Sequence, residues 1–122
     1  VEVRGLLKAA RQHANGSRRA RDRALVMVAS GAGLRAAELV SLAYEDFDQE
    51  SGVLSIMQGK GRKQRSIHLA RPIQQALAAW LAKRGREVGP LFTKISRSGY
   101  PAGQQLTKTG LTDILQRLAI SA

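Results

Sequence analysis

The amino-acid sequence predicts a mainly α-helical domain with a small antiparallel β-hairpin or three-stranded sheet at one edge, the α+β class. Apolar residues recur at helical spacing in several segments, whereas one central stretch alternates apolar and polar residues around a glycine-rich turn. The chain has 122 residues, of which 43% are hydrophobic, and this size and composition suit one domain with its own core. We therefore treat residues 1–122 as a single domain.

The N-terminal part predicts two helices. Apolar residues on one helical face predict the first helix over residues 2–13, and the turn-forming residues 15–17 are expected to end it. A second helix is predicted from about Arg19. Its segment 24–29 is apolar on every side, which predicts that this part of the helix lies in the core.

A short helix is predicted next, over residues 34–42. Gly31 and Gly33 are expected to break or bend the chain before it. Arg35 and Glu38 lie three positions apart, so their side chains share one face of the helix. Considered alone, this arrangement indicates only an exposed ion pair of the kind that contributes little to stability.

The central stretch predicts a β-hairpin. Residues 45–52 are polar and predict a loop. Residues 53–58 and 65–70 then alternate in the manner of two strands, and the glycine-rich, cationic segment 59–64 separates them. Considered alone, the charges of this hairpin tip are also explained as a way to keep a sheet edge soluble.

The C-terminal half predicts two more helices. Pro72 suits the first turn of one helix, Trp80 lies on its apolar face, and Gly85 is expected to end it. Residues 91–92 predict a short extended piece, and residues 96–105 predict a loop rich in Gly, Ser and Gln. The apolar stripe of the last helix consists of Leu111, Ile114, Leu115 and Leu118.

The charge of the chain indicates a polyanionic partner. Twenty Lys and Arg residues stand against nine Asp and Glu residues, which gives a formal net charge of +11. Nucleic acid is the most common partner of so basic a chain. A membrane surface is the weaker alternative, because the basic residues are not gathered on one amphipathic helix. RNA binding ranks well behind DNA binding. The chain has no cysteine, which excludes disulfides and cysteine-ligated metal.

Two motifs in fixed order carry a family resemblance. The first is Gly33-Leu34-Arg35-Ala36-Ala37-Glu38-Leu39, and the second is Gly59-Lys60-Gly61-Arg62-Lys63-Gln64-Arg65. A helix that begins with the first motif, followed by a polar loop, a strand and the second motif, resembles the first half of the catalytic domain of tyrosine recombinases, the phage integrase family. The separation of 25 residues between Arg35 and Lys60 fits that pattern.

The resemblance implies DNA strand exchange in site-specific recombination or integration, through a covalent phosphotyrosyl link and without a metal ion or other cofactor. Arg35 matches the catalytic arginine that grips the scissile phosphate, and Lys60 matches the lysine that acts as general acid. Glu38 matches a supporting acidic position. The expected DNA-binding residues are Arg62, Lys63, Arg65, Arg19 and Arg21. At the start of the second helix, phosphate binding and a merely solvated basic cluster remain equally open.

The resemblance also implies double-stranded DNA and other recombinase protomers as partners, and a cytoplasmic, nucleoid-associated location. The chain departs from the family pattern because it lacks the later His-x-x-Arg motif, the nucleophilic tyrosine and the preceding core-binding domain. Tyr44 and Tyr100 do not match the nucleophile; we expect a half-buried core role for Tyr44 and a surface position for Tyr100. His13 and His68 lack the further ligands that a metal site needs.

We therefore expect a DNA-binding fragment of a recombinase that is inactive alone. The alternative is a stand-alone, non-catalytic basic protein that occupies recombination sites or associates with an intact recombinase.

Overall fold

The computed structural model describes residues 16–58 and 63–121. The helix predicted over residues 2–13 and the tip of the predicted hairpin lie outside the described residues. In chain order the elements are α1 (Gly16–Ala32), α2 (Ala36–Ser41), a 3₁₀ turn (Tyr44–Asp46), β1 (Phe47–Asp48), β2 (Val53–Gln58), β3 (Lys63–His68), α3 (Arg71–Arg84), β4 (Thr93–Ile95), β5 (Pro101–Gln105) and α4 (Lys108–Ser121). The α+β prediction is confirmed.

Helix α1 is the central helix of the core and packs along α3. Its middle turns supply fully buried apolar side chains, including Leu25 and Val28. The predicted break at Gly31 is wrong, because the helix continues to Ala32. A Cβ atom on Gly31 would overlap Cδ1 of Ile73 on α3, so this glycine permits close approach of the two helices.

Helix α3 follows its prediction closely. Pro72 lies in the first turn, where its missing N–H would have no helical acceptor. Gly85 ends the helix with φ +92°, a backbone conformation that glycine adopts without strain. Trp80 is fully buried, and its indole Nε1–H donates to the carbonyl of Leu91 at 2.8 Å.

The predicted hairpin is present as part of a three-stranded antiparallel sheet of order β1-β2-β3. Leu54 and Ile56 of β2 are buried on the inner face. The loop predicted over residues 45–52 is only partly correct, because it contains most of the 3₁₀ turn and all of β1. Strand β1 has only two residues and pairs with the start of β2, so the pairing with β2 is what stabilises it as a strand.

A second, two-stranded sheet replaces the loop predicted over residues 96–105. Strand β5 pairs antiparallel with β4 through Thr93↔Gln105 and Ile95↔Pro101, with a shift of register between the pairs. Gly103 within β5 has φ +74°, which a bulged strand accommodates. Residues 91–92 are buried just before β4 and do not themselves form the strand.

Helix α4 contributes apolar side chains to the core. Leu111 and Ile114 are buried and Leu115 is partly buried, as the apolar stripe predicts. In the described part of the chain, no helix is long and apolar enough to cross a membrane. The same residues contain no group of His, Asp and Glu side chains that could hold a metal ion.

Candidate nucleic-acid interface

Arg35 lies at the start of α2 with its side chain exposed. Its backbone is extended, and its N–H donates to Oε1 of Glu38 at 2.9 Å. This contact is one half of a capping box, in which an acidic side chain in the first turn accepts the hydrogen bond of the residue that precedes the helix. Glu38 therefore fixes the backbone of Arg35 and leaves the guanidinium directed to solvent.

The turn that precedes Arg35 depends on a glycine. Gly33 has φ +64°, the left-handed region that ends many helices. The N–H of Leu34 returns to the carbonyl of Ala29 in α1 at 3.2 Å. The chain therefore reverses within three residues, and α2 begins immediately after the end of α1.

Helix α2 is short, so its position depends on contacts with the rest of the fold. Leu39 and Val40 are buried in the core. The amide Nε2 of Gln105 donates to the carbonyl of Val40, which links the C-terminal end of α2 to β5. The sequence offered no signal for Gln105, because it lies in a segment that reads as a polar loop.

The structure describes the second motif only in part. Lys60 and Arg62 lie outside the described residues, and Lys63 begins β3 opposite Gln58. Arg65 pairs with Ile56 across the strands, and directly opposed residues share one face of a sheet. Arg65 is therefore on the inner face, where its Nε and Nη2 atoms are buried without a hydrogen-bond acceptor in the described chain.

The two arginines predicted from α1 occupy different environments. Arg19 is exposed, as a DNA contact requires. Arg21 is only 4% exposed, and its Nε and Nη2 atoms contact Oδ1 of the fully buried Asp22 at 3.0 and 2.9 Å. Its Nη1 donates to the carbonyl of Thr93 at 3.2 Å. Arg21 therefore does not share the exposed surface of Arg19, and its role in DNA binding stays a prediction.

Burial lowers the pKa of Arg21, and the attraction and hydrogen bond of Asp22 oppose this change. The guanidinium nevertheless stays protonated, because an arginine pKa begins so far above neutrality. Arg21 therefore forms an ion pair with Asp22 inside α1 and a hydrogen bond that links α1 to β4, and both charges are largely shielded from solvent.

The two tyrosines take the positions that the sequence predicts. Tyr44 is half-buried, with the guanidinium carbon of Arg84 4.8 Å from its ring centroid. Tyr100 is 71% exposed, and His68 is exposed at the end of β3. His13 lies outside the described residues.

The fold resembles that of a solved structure. The structure, "Crystal structure of XerA recombinase", matches with a TM-score of 0.70, and the match covers 98% of this chain and 41% of the other. At 22% sequence identity, this likeness shows the fold alone, an α+β domain.

The sequence comparison shows the family. A sequence model of the phage integrase family matches residues 1–122, so the chain belongs to that family. It is 36% identical over 77 residues to the tyrosine recombinase XerA of Pyrococcus furiosus, and this match covers 63% of this chain and 27% of the relative. It is also 36% identical over 106 residues to the tyrosine recombinase XerC of Chlorobaculum parvum, which covers 77% of this chain and 31% of the relative.

Both relatives are tyrosine recombinases, and the matched regions span between a quarter and a third of their length. The family recognised from the two motifs is therefore confirmed.

Proposed function

We propose that this chain is the DNA-binding first part of the catalytic domain of a site-specific tyrosine recombinase. The observation that carries the proposal is the exposed side chain of Arg35 on a backbone that Glu38 and the buried face of α2 hold in place. A fixed, exposed guanidinium can form two parallel hydrogen bonds with a phosphate, which a flexible loop residue would form at a larger entropic cost.

Arg35 is then the group that meets the negative charge developing on the scissile phosphate. Lys60, which lies between β2 and β3 in the sequence, acts as the general acid for the departing oxygen. A lysine side chain is long enough to reach that oxygen, and a glycine on either side allows a close approach to DNA. Glu38 is a positioning residue that acts through the backbone of Arg35. Arg62 and Lys63 contact phosphates or a groove.

Arg19 extends this interface along α1, because its side chain is exposed. Arg65 belongs to the base of the hairpin, where its partly buried guanidinium orients the strand that carries the other cations. The excess of 11 positive charges supplies the sequence-independent part of the affinity. Duplex DNA is the partner that such an arrangement fits.

Fluorescence anisotropy of a labelled DNA duplex at several salt concentrations tests the proposal. We expect largely sequence-independent binding whose logarithm falls with the logarithm of salt, by about 0.9 per phosphate neutralised. Several phosphates should contribute. Absence of binding at low salt, or an affinity that does not depend on salt, would show that the basic surface does not hold DNA.

A nicked suicide duplex tests the catalytic part of the proposal. We expect no covalent adduct from these 122 residues, because Tyr44 is half-buried against Arg84 and Tyr100 lies outside the family's nucleophile position. A denaturant-resistant adduct that disappears in the Tyr100→Phe variant would identify Tyr100 as a nucleophile and contradict this assignment.

A further inference from the structure

A cavity of about 600 Å³ lies between the first turns of α1, strand β4 and helix α4. Among the residues that the structure describes, none that lines the cavity belongs to α2, β2 or β3, so it is separate from the element that carries Arg35. The cationic residues among the described lining are Arg18, Arg21, Lys94 and Arg117. Asp113 is the one acidic side chain among the lining residues that the structure describes.

Arg21 presents unused hydrogen-bond donors at this cavity. A guanidinium carries five N–H hydrogens, and the contacts to Asp22 and to the carbonyl of Thr93 engage one hydrogen on each of its three nitrogens. One hydrogen therefore remains on each of the two terminal nitrogens, and charge-assisted donors of this kind bind the oxygens of oxyanions.

The cationic groups also influence one another electrostatically. After burial, which is the largest cause and which Asp22 opposes, the charges of Arg18 and Arg117 further lower the pKa of Arg21. Like charges repel more strongly where apolar groups exclude water, and Ile95, Leu106 and Ile114 supply such a lining. The lining that the structure describes therefore brings several cationic side chains close to one another beside apolar groups, and a bound anion would reduce the repulsion between them.

We propose that this cavity is a phosphate-binding site, with Arg21 at its base and Arg18, Lys94 and Arg117 around it. A tetrahedral phosphate matches the remaining guanidinium hydrogens at the base and the cations at the rim. The phosphate comes either from the backbone of bound DNA or from a free phosphate compound. Only the DNA source depends on the function proposed above.

Isothermal titration calorimetry of the 122-residue chain with inorganic phosphate tests the site, at an ionic strength held constant with sodium chloride. We expect saturable binding that Arg117→Gln weakens by about tenfold, the scale of one charge-assisted hydrogen bond. Asp113→Asn should strengthen binding several-fold, because it removes the competing carboxylate. Arg86→Gln, which removes an exposed cation outside the cavity, is the matched control and should change nothing.

The opposite signs expected for Arg117→Gln and Asp113→Asn keep the test informative, because local unfolding would weaken binding in both variants. Circular dichroism verifies that each variant is folded. Absence of phosphate binding in the unaltered chain overturns the proposal. Equal effects of Arg117→Gln and Arg86→Gln also overturn it, since binding would then reflect only net charge.

The same variants distinguish the two sources. If the phosphate belongs to DNA, duplex DNA displaces inorganic phosphate, and Arg117→Gln lowers the salt slope of DNA binding by about one phosphate while Arg86→Gln does not. If the phosphate is free, it still binds at saturating DNA and the slope is unchanged. A chain that binds inorganic phosphate but not DNA would disprove the proposed function and leave this site supported.

Discussion

The early turns of α1 and the start of α2 each carry an arginine near a carboxylate, but the two arginines are fixed in opposite ways. Arg21 is buried with its guanidinium bound to Asp22 and to β4. Arg35 has an exposed side chain, and only its backbone is bound, by Glu38. The charge of Arg21 therefore stabilises the fold, whereas the fold holds the charge of Arg35 in a solvent-exposed position.

This difference shows that neither residue type nor helix position decides what an arginine does. Both residues lie near the beginning of a helix, where a positive charge is unfavourable next to the helix dipole. Arg21 is accommodated because a carboxylate and a carbonyl surround it. Arg35 is accommodated by solvent, and a DNA phosphate would take the place of that solvent.

The largest expected effect is the loss of the buried pair. Arg21→Met removes the ion pair between Arg21 and the buried carboxylate of Asp22, and we expect a loss of about 3 to 5 kcal/mol in the free energy of unfolding. Urea denaturation measures it, with Arg35→Met as the control that should leave the midpoint unchanged. The double variant Arg21→Met/Asp22→Leu should recover much of the loss. A loss below about 1 kcal/mol for Arg21→Met alone would indicate that the pair is solvated.

The second test concerns the C-terminal half of α1. Gly31→Ala should destabilise the protein by about 1 kcal/mol, because overpacking against Cδ1 of Ile73 is partly offset by the higher helix propensity of alanine. Ile73→Val removes that atom, so the double variant should be more stable than the sum of the two single changes predicts. Gly16→Ala, where the nearest contact of the new Cβ is an ordinary 3.8 Å, is the matched control. Additive effects would show that α1 and α3 adjust without strain.

The third test concerns the local support of Arg35. Glu38→Ala removes the acceptor of the Arg35 N–H, and we expect a loss of about 1 kcal/mol together with faster hydrogen exchange at that amide. Glu38→Gln keeps an acceptor oxygen and should preserve most of the protection. If both variants exchange equally fast, the carboxylate does not fix this backbone and its positioning role is wrong.

The smallest expected effect on stability is that of Arg35→Gln, because the side chain is exposed. The urea midpoint should not move, whereas the salt slope of DNA binding should fall by about 0.9, the value for one phosphate. Arg86→Gln removes an exposed charge beyond the end of α3 and should leave the slope unchanged. Identical slopes for the two variants would show that Arg35 does not reach the DNA.

The sequence was sufficient for the elements whose pattern is repeated locally. The middle of α1, the apolar face of α3 around Trp80 and the stripe of α4 follow helical periodicity, and β2 follows the alternation that predicts a strand. The two motifs identified the family and located Arg35 at a helix start. Each of these features depends on residues a few positions apart, so a short stretch of sequence contains the information.

The tertiary structure decided what depends on residues far apart in the chain. Strands β1 and β5 are short or bulged and form only because a neighbouring strand pairs with them. Gly31 lies within α1, and its lack of a side chain leaves room for Cδ1 of Ile73, 42 positions later in the sequence. The ion pair between Arg21 and Asp22 was not predictable, because adjacent residues on a helix do not ordinarily face each other. The sequence around Arg21 also does not indicate that its guanidinium bonds to the carbonyl of Thr93, 72 residues away. Local geometry is encoded within one or two turns of the chain, whereas the burial of a charge is determined by the partners that folding brings to it.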